Sequence, residues 1–118
     1  MRVSMARFRE LVAEALDELP PEFQRMMDNV EVVAQEAPSP DLERRFEGLL
    51  LGLYQGVPLN QRSWLGMNLP DKISIYRRNI LRVCRTPAEI REQVKITVMH
   101  EIGHHFGMNE RELREAGY

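Results

Sequence analysis

Cysteine is all but absent from this chain of 118 residues: Cys84 stands alone, so no internal disulfide can form. A lone thiol, with no apolar leader at the N-terminus, points to the cytoplasm as the compartment. Cys84 itself reads as a small core residue near a helix start rather than as a ligand or nucleophile. No run reaches the roughly 18 apolar residues that a membrane span requires, so no membrane partner is expected. Lysine is scarce as well, with Lys72 and Lys95 the two in the chain, and arginine carries nearly all the positive charge. The net charge is only -2, without the basic stripe on which nonspecific nucleic-acid binding depends, so nucleic acid is not an expected partner either. Internal repeats and low-complexity tracts are missing. What is present, 43% hydrophobic and 29% charged residues, suits one soluble domain over residues 1–118 with a modest core.

The pattern along the chain mixes both periods of secondary structure. Met5, Phe8, Leu11, Val12, Ala15, Leu16 and Leu19 form the apolar stripe of a first helix, which Pro20 and Pro21 end. That stripe is expected to pack on the domain's own sheet. A short helical turn is expected at Pro21–Met27, and the β-branched run Val30–Ala34 reads as a strand. Pro38 and Pro40 interrupt the chain, after which Asp41–Phe46 is either loop or one helical turn. Leu49–Gln55 is a second strand candidate, closed by Gly56 and Pro58. Residues 59–70 read as irregular and polar. Lys72–Arg77 alternates with period two and is the clearest strand. Thr86, Pro87 and Glu89 supply a hydroxyl cap, a first-turn proline and a carboxylate, opening a long helix that Gly107 stops. Val94, Val98, Met99, Ile102 and Phe106 are expected to cover its buried side. A last helical turn is expected over residues 110–116.

The chemistry is concentrated at residues 100–110, His-Glu-Ile-Gly-His-His-Phe-Gly-Met-Asn-Glu. His100 and His104 lie one helical turn apart, about 40° around the axis, so both imidazoles can reach one metal ion. His105 lies about 140° from His100 and cannot join that pair; it reads as a packing or hydrogen-bonding residue. Glu101 stands beside the metal rather than on it, where a carboxylate accepts a proton from water and passes it to a leaving amine. A catalytic zinc takes three protein ligands and leaves a fourth position for water. Glu110, brought back by the bend at Gly107, is the choice for the third ligand over Glu112 and Glu115, with helix capping as its competing role. A chance match to this pattern in so short a chain is below about one per cent.

These residues resemble a known family, the small bacterial zinc metallopeptidases with a minimal zincin-like fold. The resemblance rests on residues 97–107 (Thr-Val-Met-His-Glu-Ile-Gly-His-His-Phe-Gly), on Leu51–Leu59 and on Leu69–Arg77, and spans about residues 20–118. It implies an α+β domain, a small mixed sheet packed against the N-terminal helix and the zinc-binding helix. It also implies Zn2+ held by His100, His104 and the acid at position 110, with Glu101 as general base. Over the motif alone the chain is similar to the metzincins, but Glu110 stands where they place a third His or Asp. No room is expected after Tyr118 for their methionine turn, so their specificity is not carried over. The function expected is a zinc-dependent peptidase acting on peptides or unfolded protein. A non-enzymatic zinc-binding regulator and a metal-dependent hydrolase of another class, such as RNA, are the alternatives. The substrate is expected to lie along the strand Ile73–Tyr76 as an added strand. Tyr76, Arg77 and Tyr118 are the candidates for stabilising the oxyanion. The oligomeric state is not legible.

Overall fold

A computed structural model describes residues 2–57 and 69–115. In chain order these form α1 (Met5–Asp17), α2 (Pro21–Met26), β1 (Val30–Gln35), α3 (Pro40–Arg45), β2 (Gly52–Gln55), β3 (Asp71–Tyr76), α4 (Arg77–Val83), α5 (Pro87–His105) and α6 (Glu110–Glu115).

Local chemistry starts and stops the helices. Ser4 Oγ accepts the Arg7 N–H at 3.1 Å and caps α1. Ser39 caps α3 in the same way, with Pro40 in the first turn. Thr86 Oγ1 accepts the Glu89 N–H at 3.1 Å to open α5, while the Glu89 carboxylate reaches back to the Arg85 N–H at 3.0 Å. Each arrangement satisfies amides that the helix itself leaves unpaired. Gly107 ends the run with φ of 86°, as the bend predicted there demands. Its N–H donates to His104 O at 3.0 Å and the Met108 N–H to Gly103 O at 2.8 Å, the paired bonds of a left-handed helix stop.

The sheet is mixed, in the order β1-β3-β2, with β1 parallel and β2 antiparallel to β3. This makes β3 the central strand. The expectation that Ile73–Tyr76 forms a free edge is therefore incorrect. Period-two alternation says only that one face is apolar, and both edges of β3 are paired. Here even Ser74, on the polar phase of the alternation, is fully buried. The edge strand on this side is β2, shorter than expected: Leu49 and Leu50 precede it outside the ladder, and Leu51 meets it through its carbonyl, which accepts the Tyr76 N–H.

α5 is the centre of the molecule. It packs against α1, α2, α4, β2 and β3. Ile90, Val94, Val98, Met99 and Ile102 are buried along it, and they join Phe8, Leu11, Ala15, Ile73, Ile75 and Ile80 in one core. Two expectations need correcting. α1 lies more on α5 than on the sheet, because the apolar residues of α5 extend well around its circumference. Phe106, placed on the buried side by sequence, is 57% exposed, because it follows the last helical residue and the chain has begun to turn. Cys84 is buried in the core as a free thiol. The helix α4, which carries no side-chain cap hydrogen bond, has no counterpart among the elements expected from sequence. Pro58, residues 59–68 of the stretch read as irregular, and Ala116 lie outside the described residues.

One contact controls how closely α5 approaches the sheet. A Cβ at Gly52 would stand 2.7 Å from Thr97 Cγ2 and 2.9 Å from the Ser74 carbonyl oxygen, nearer than atoms tolerate. Gly52→Ala should therefore destabilise the fold by about 1–3 kcal/mol, the usual cost of overpacking, read as a lower urea midpoint with an unchanged slope. Thr86→Ala, which removes the cap of α5, should cost about 1 kcal/mol in the same assay.

Candidate active site

The last two turns of α5 carry all three histidines and Glu101. The His100 and His104 rings lie with centroids 6.2 Å apart and tilted by 50°, side by side on one face. His100 Nδ1 is 3.1 Å from the Ile96 carbonyl. As a donor to that oxygen, Nδ1 carries the proton and leaves Nε2 as the lone-pair nitrogen, the tautomer a metal needs. The pair thus has the donor chemistry and spacing of a shared metal centre.

Glu101 is turned aside from the two imidazoles. Its Oε1 accepts the backbone N–H of Tyr54 at 2.8 Å. In the antiparallel ladder the Tyr76 N–H bonds Leu51 O, so Leu51, Leu53 and Gln55 pair inward and the groups of Gly52 and Tyr54 point outward. The carboxylate therefore sits on the outer edge of β2. Burial raises the Glu101 pKa above the ordinary carboxylate value, while the Tyr54 amide and the neighbouring His104 and His100 pull it back down. Among the described residues, no three His, Cys, Asp or Glu side chains gather as a metal-holding group. The described part of the site supplies two nitrogen donors and an adjacent carboxylate.

The remaining candidates divide. Glu110 is the first residue of α6, and its side chain lies outside what the structure describes. The cap of α6 is Asn109, whose Oδ1 accepts the Glu112 N–H at 2.8 Å. Glu112 returns its carboxylate toward the Asn109 N–H, and Glu115 pairs with Arg111 at 3.1 Å. Both fallback ligands are thus engaged within their own helix. His105 stacks on Tyr54 with centroids 4.0 Å apart and meets Phe106 edge-on at 5.3 Å, a packing role. Arg77 donates to the Val3 carbonyl at 2.8 Å and 2.6 Å and to Glu36 at 2.9 Å, tying the N-terminus to the sheet. Tyr76 is buried, and burial raises its phenol, with the Glu101 charge adding to the effect. Tyr118 lies outside the described residues.

Two residues that support the site, Tyr54 and Asp71, lie within the segments that carry the resemblance, Leu51–Leu59 and Leu69–Arg77, but sequence reasoning gave neither a role. The Tyr54 hydroxyl donates to Asp71 Oδ2 at 2.5 Å, and Asp71 Oδ1 accepts the Val57 N–H at 2.9 Å. Asp71 thereby pins the end of β2 that presents its amide to Glu101. The nearest available signal is Gly52: a glycine inside a strand marks close backbone approach.

A helix carrying paired imidazoles beside a carboxylate, laid against the edge of a small mixed sheet, defines a zincin-like architecture. The family model for zincin-like metallopeptidases matches residues 27–118, and the chain belongs to that family. Membership implies zinc. Among solved structures, a conserved hypothetical protein from Thermo thermophilus is similar, with 26% identity and a TM-score of 0.54. The likeness covers 97% of this chain and 98% of that one. No curated protein matches. No helix among the described residues is long and apolar enough to cross a membrane.

The raised Glu101 pKa carries a sign that stability measurements test. Below the unfolded value near 4.5 both states hold the proton; as pH rises through the higher folded value, ionisation in the buried site costs stability. In metal-free protein, Glu101→Gln should therefore be more stable than wild type near pH 7, with the advantage vanishing near about pH 4. Thermal melts in chelator across that range check it.

Proposed function

We propose that the chain is a zinc-dependent peptidase in which His100, His104 and Glu110 hold the metal and Glu101 is the general base. One observation carries this reading: a carboxylate beside a histidine pair on one helix face is held by the outer edge of β2, the edge strand to which an extended peptide would add. Zinc, when bound, lowers the pKa of water to about 7 and polarises a carbonyl oxygen.

The protein's own residues do the rest. The outer edge of β2 would hold the peptide extended across the helix end, beside the Tyr54 N–H that Glu101 already takes. Glu101 takes the proton of the attacking water on a carboxylate oxygen and delivers it to the leaving nitrogen. His100 keeps its lone pair directed outward through the Nδ1 bond to Ile96. The groove beside His100 and Glu101 is walled by Leu49, Leu50, Leu51 and Ile96. An apolar wall favours a peptide over RNA, whose phosphates call for a basic channel.

The experiment is a peptide library offered to zinc-loaded protein. Cleavage by wild type, reduced about 100- to 10,000-fold by Glu101→Ala with zinc retained, is the expected outcome. Equal cleavage by the variant sinks the reading. Stoichiometric zinc without any cleavage points instead to the non-enzymatic regulator. His104→Ala should lose both zinc and activity.

A further inference from the structure

Two grooves meet at a ridge formed by Leu49 and Leu50. The first, about 310 Å³, runs between residues 49–52 and the face of α5 that carries Ile96, His100 and Glu101. The second, about 230 Å³, lies across the ridge and is lined by Phe46, by Arg78 and Arg82 of α4, and by Glu43, whose charge Arg78 takes up. We propose that the substrate is an extended peptide that places a bulky apolar side chain in the first groove, next to the scissile bond, and a carboxylate against Arg82 in the second.

The ridge is held rigid rather than left as a loose loop. Buried Asn79 donates from Nδ2 to the Leu50 carbonyl at 2.7 Å, so the position of Leu50 is set before any ligand arrives. A wall fixed in advance costs a ligand less ordering entropy. Leu49 is 40% exposed and Phe46 42%, two of the four large apolar residues left exposed among those described. Such exposure beside a candidate reaction centre marks a surface that a ligand covers. Leu51 and Ile96, partly buried against the core, both line the first groove and would exclude water from an apolar side chain seated in it.

Charge selects the other half of the ligand. Arg78 is already committed, paired with Glu43 and donating to Asn79 Oδ1. Arg82 is exposed and meets no carboxylate among the described residues, so its guanidinium is available to a ligand's. Both grooves share Leu49 and Leu50, so they adjoin each other and one peptide can reach both.

This inference rests on the peptidase reading, and two measurements separate their failures. In the first, zinc-loaded protein receives quenched peptides with leucine or serine beside the scissile bond. Each is made with a glutamate within two residues, with a free C-terminal carboxylate there, or with a C-terminal amide and no acid. Leucine should raise kcat/KM by about 10- to 200-fold over serine, the range for filling an apolar pocket. A carboxylate should add about two- to fivefold, as exposed ion pairs do, with the glutamate and C-terminal arms showing which source is read. Arg82→Ala should erase the carboxylate gain alone, and Ile96→Ala should shrink the leucine gain alone, with zinc content unchanged. Cleavage indifferent to either feature overturns the proposal and leaves the peptidase reading standing. In the second, zinc-free protein is titrated with a leucine-glutamate peptide while methyl resonances are followed. Shifts at Leu49, Leu50 and Ile96 support the grooves even if nothing is ever cleaved, and their absence overturns them.

Discussion

The close approach of α5 to β2 is the constraint on which the rest of the site depends. Thr97 lies so near Gly52 that no side chain fits between them. Because the helix rests directly on the strand, Glu101, one turn further on, reaches the outward amide of Tyr54. A bulkier residue at position 52 would lift the helix, part that bond and leave a buried carboxylate without its amide. Packing at one backbone position thus decides where a functional group stands four residues along a helix, since a helix moves as a rigid rod.

Glu101 is caught between opposing influences. Burial penalises its charge, while the Tyr54 amide and the neighbouring histidines favour it. The edge strand that supplies the amide is itself secured by Asp71, which holds the Tyr54 hydroxyl and the Val57 N–H. His105, the histidine that cannot reach a shared metal with His100, closes this assembly by stacking on Tyr54. A support of this kind limits the freedom of a reacting group, and reacting groups work only within narrow geometric limits.

Much of the architecture is legible in the sequence because it is local. Capping residues at Thr86 and Glu89, the left-handed turn at Gly107 and the alternation in β3 act over three or four residues, and each appears where the pattern places it. The errors concern what lies next to what. The resemblance suggests a substrate edge at Ile73–Tyr76, yet neither it nor the alternation of β3 reports neighbours in the sheet, where β3 lies between β1 and β2. Phe106 falls in the core only if helical period is extended one residue past the point where the chain turns. α4 lacks the side-chain cap that announces α5, so nothing short-range marks its start.

The spacing of His100, Glu101 and His104 was determined by sequence alone, because helical geometry puts residues four apart on one face whatever surrounds them. So were the ends of the helix that carries them. Which strand lies beneath that helix, which backbone amide receives the carboxylate, and which leucines wall the neighbouring groove were decided only by tertiary structure. Those relations join residues more than forty positions apart, and only the packing of a whole core brings such residues together.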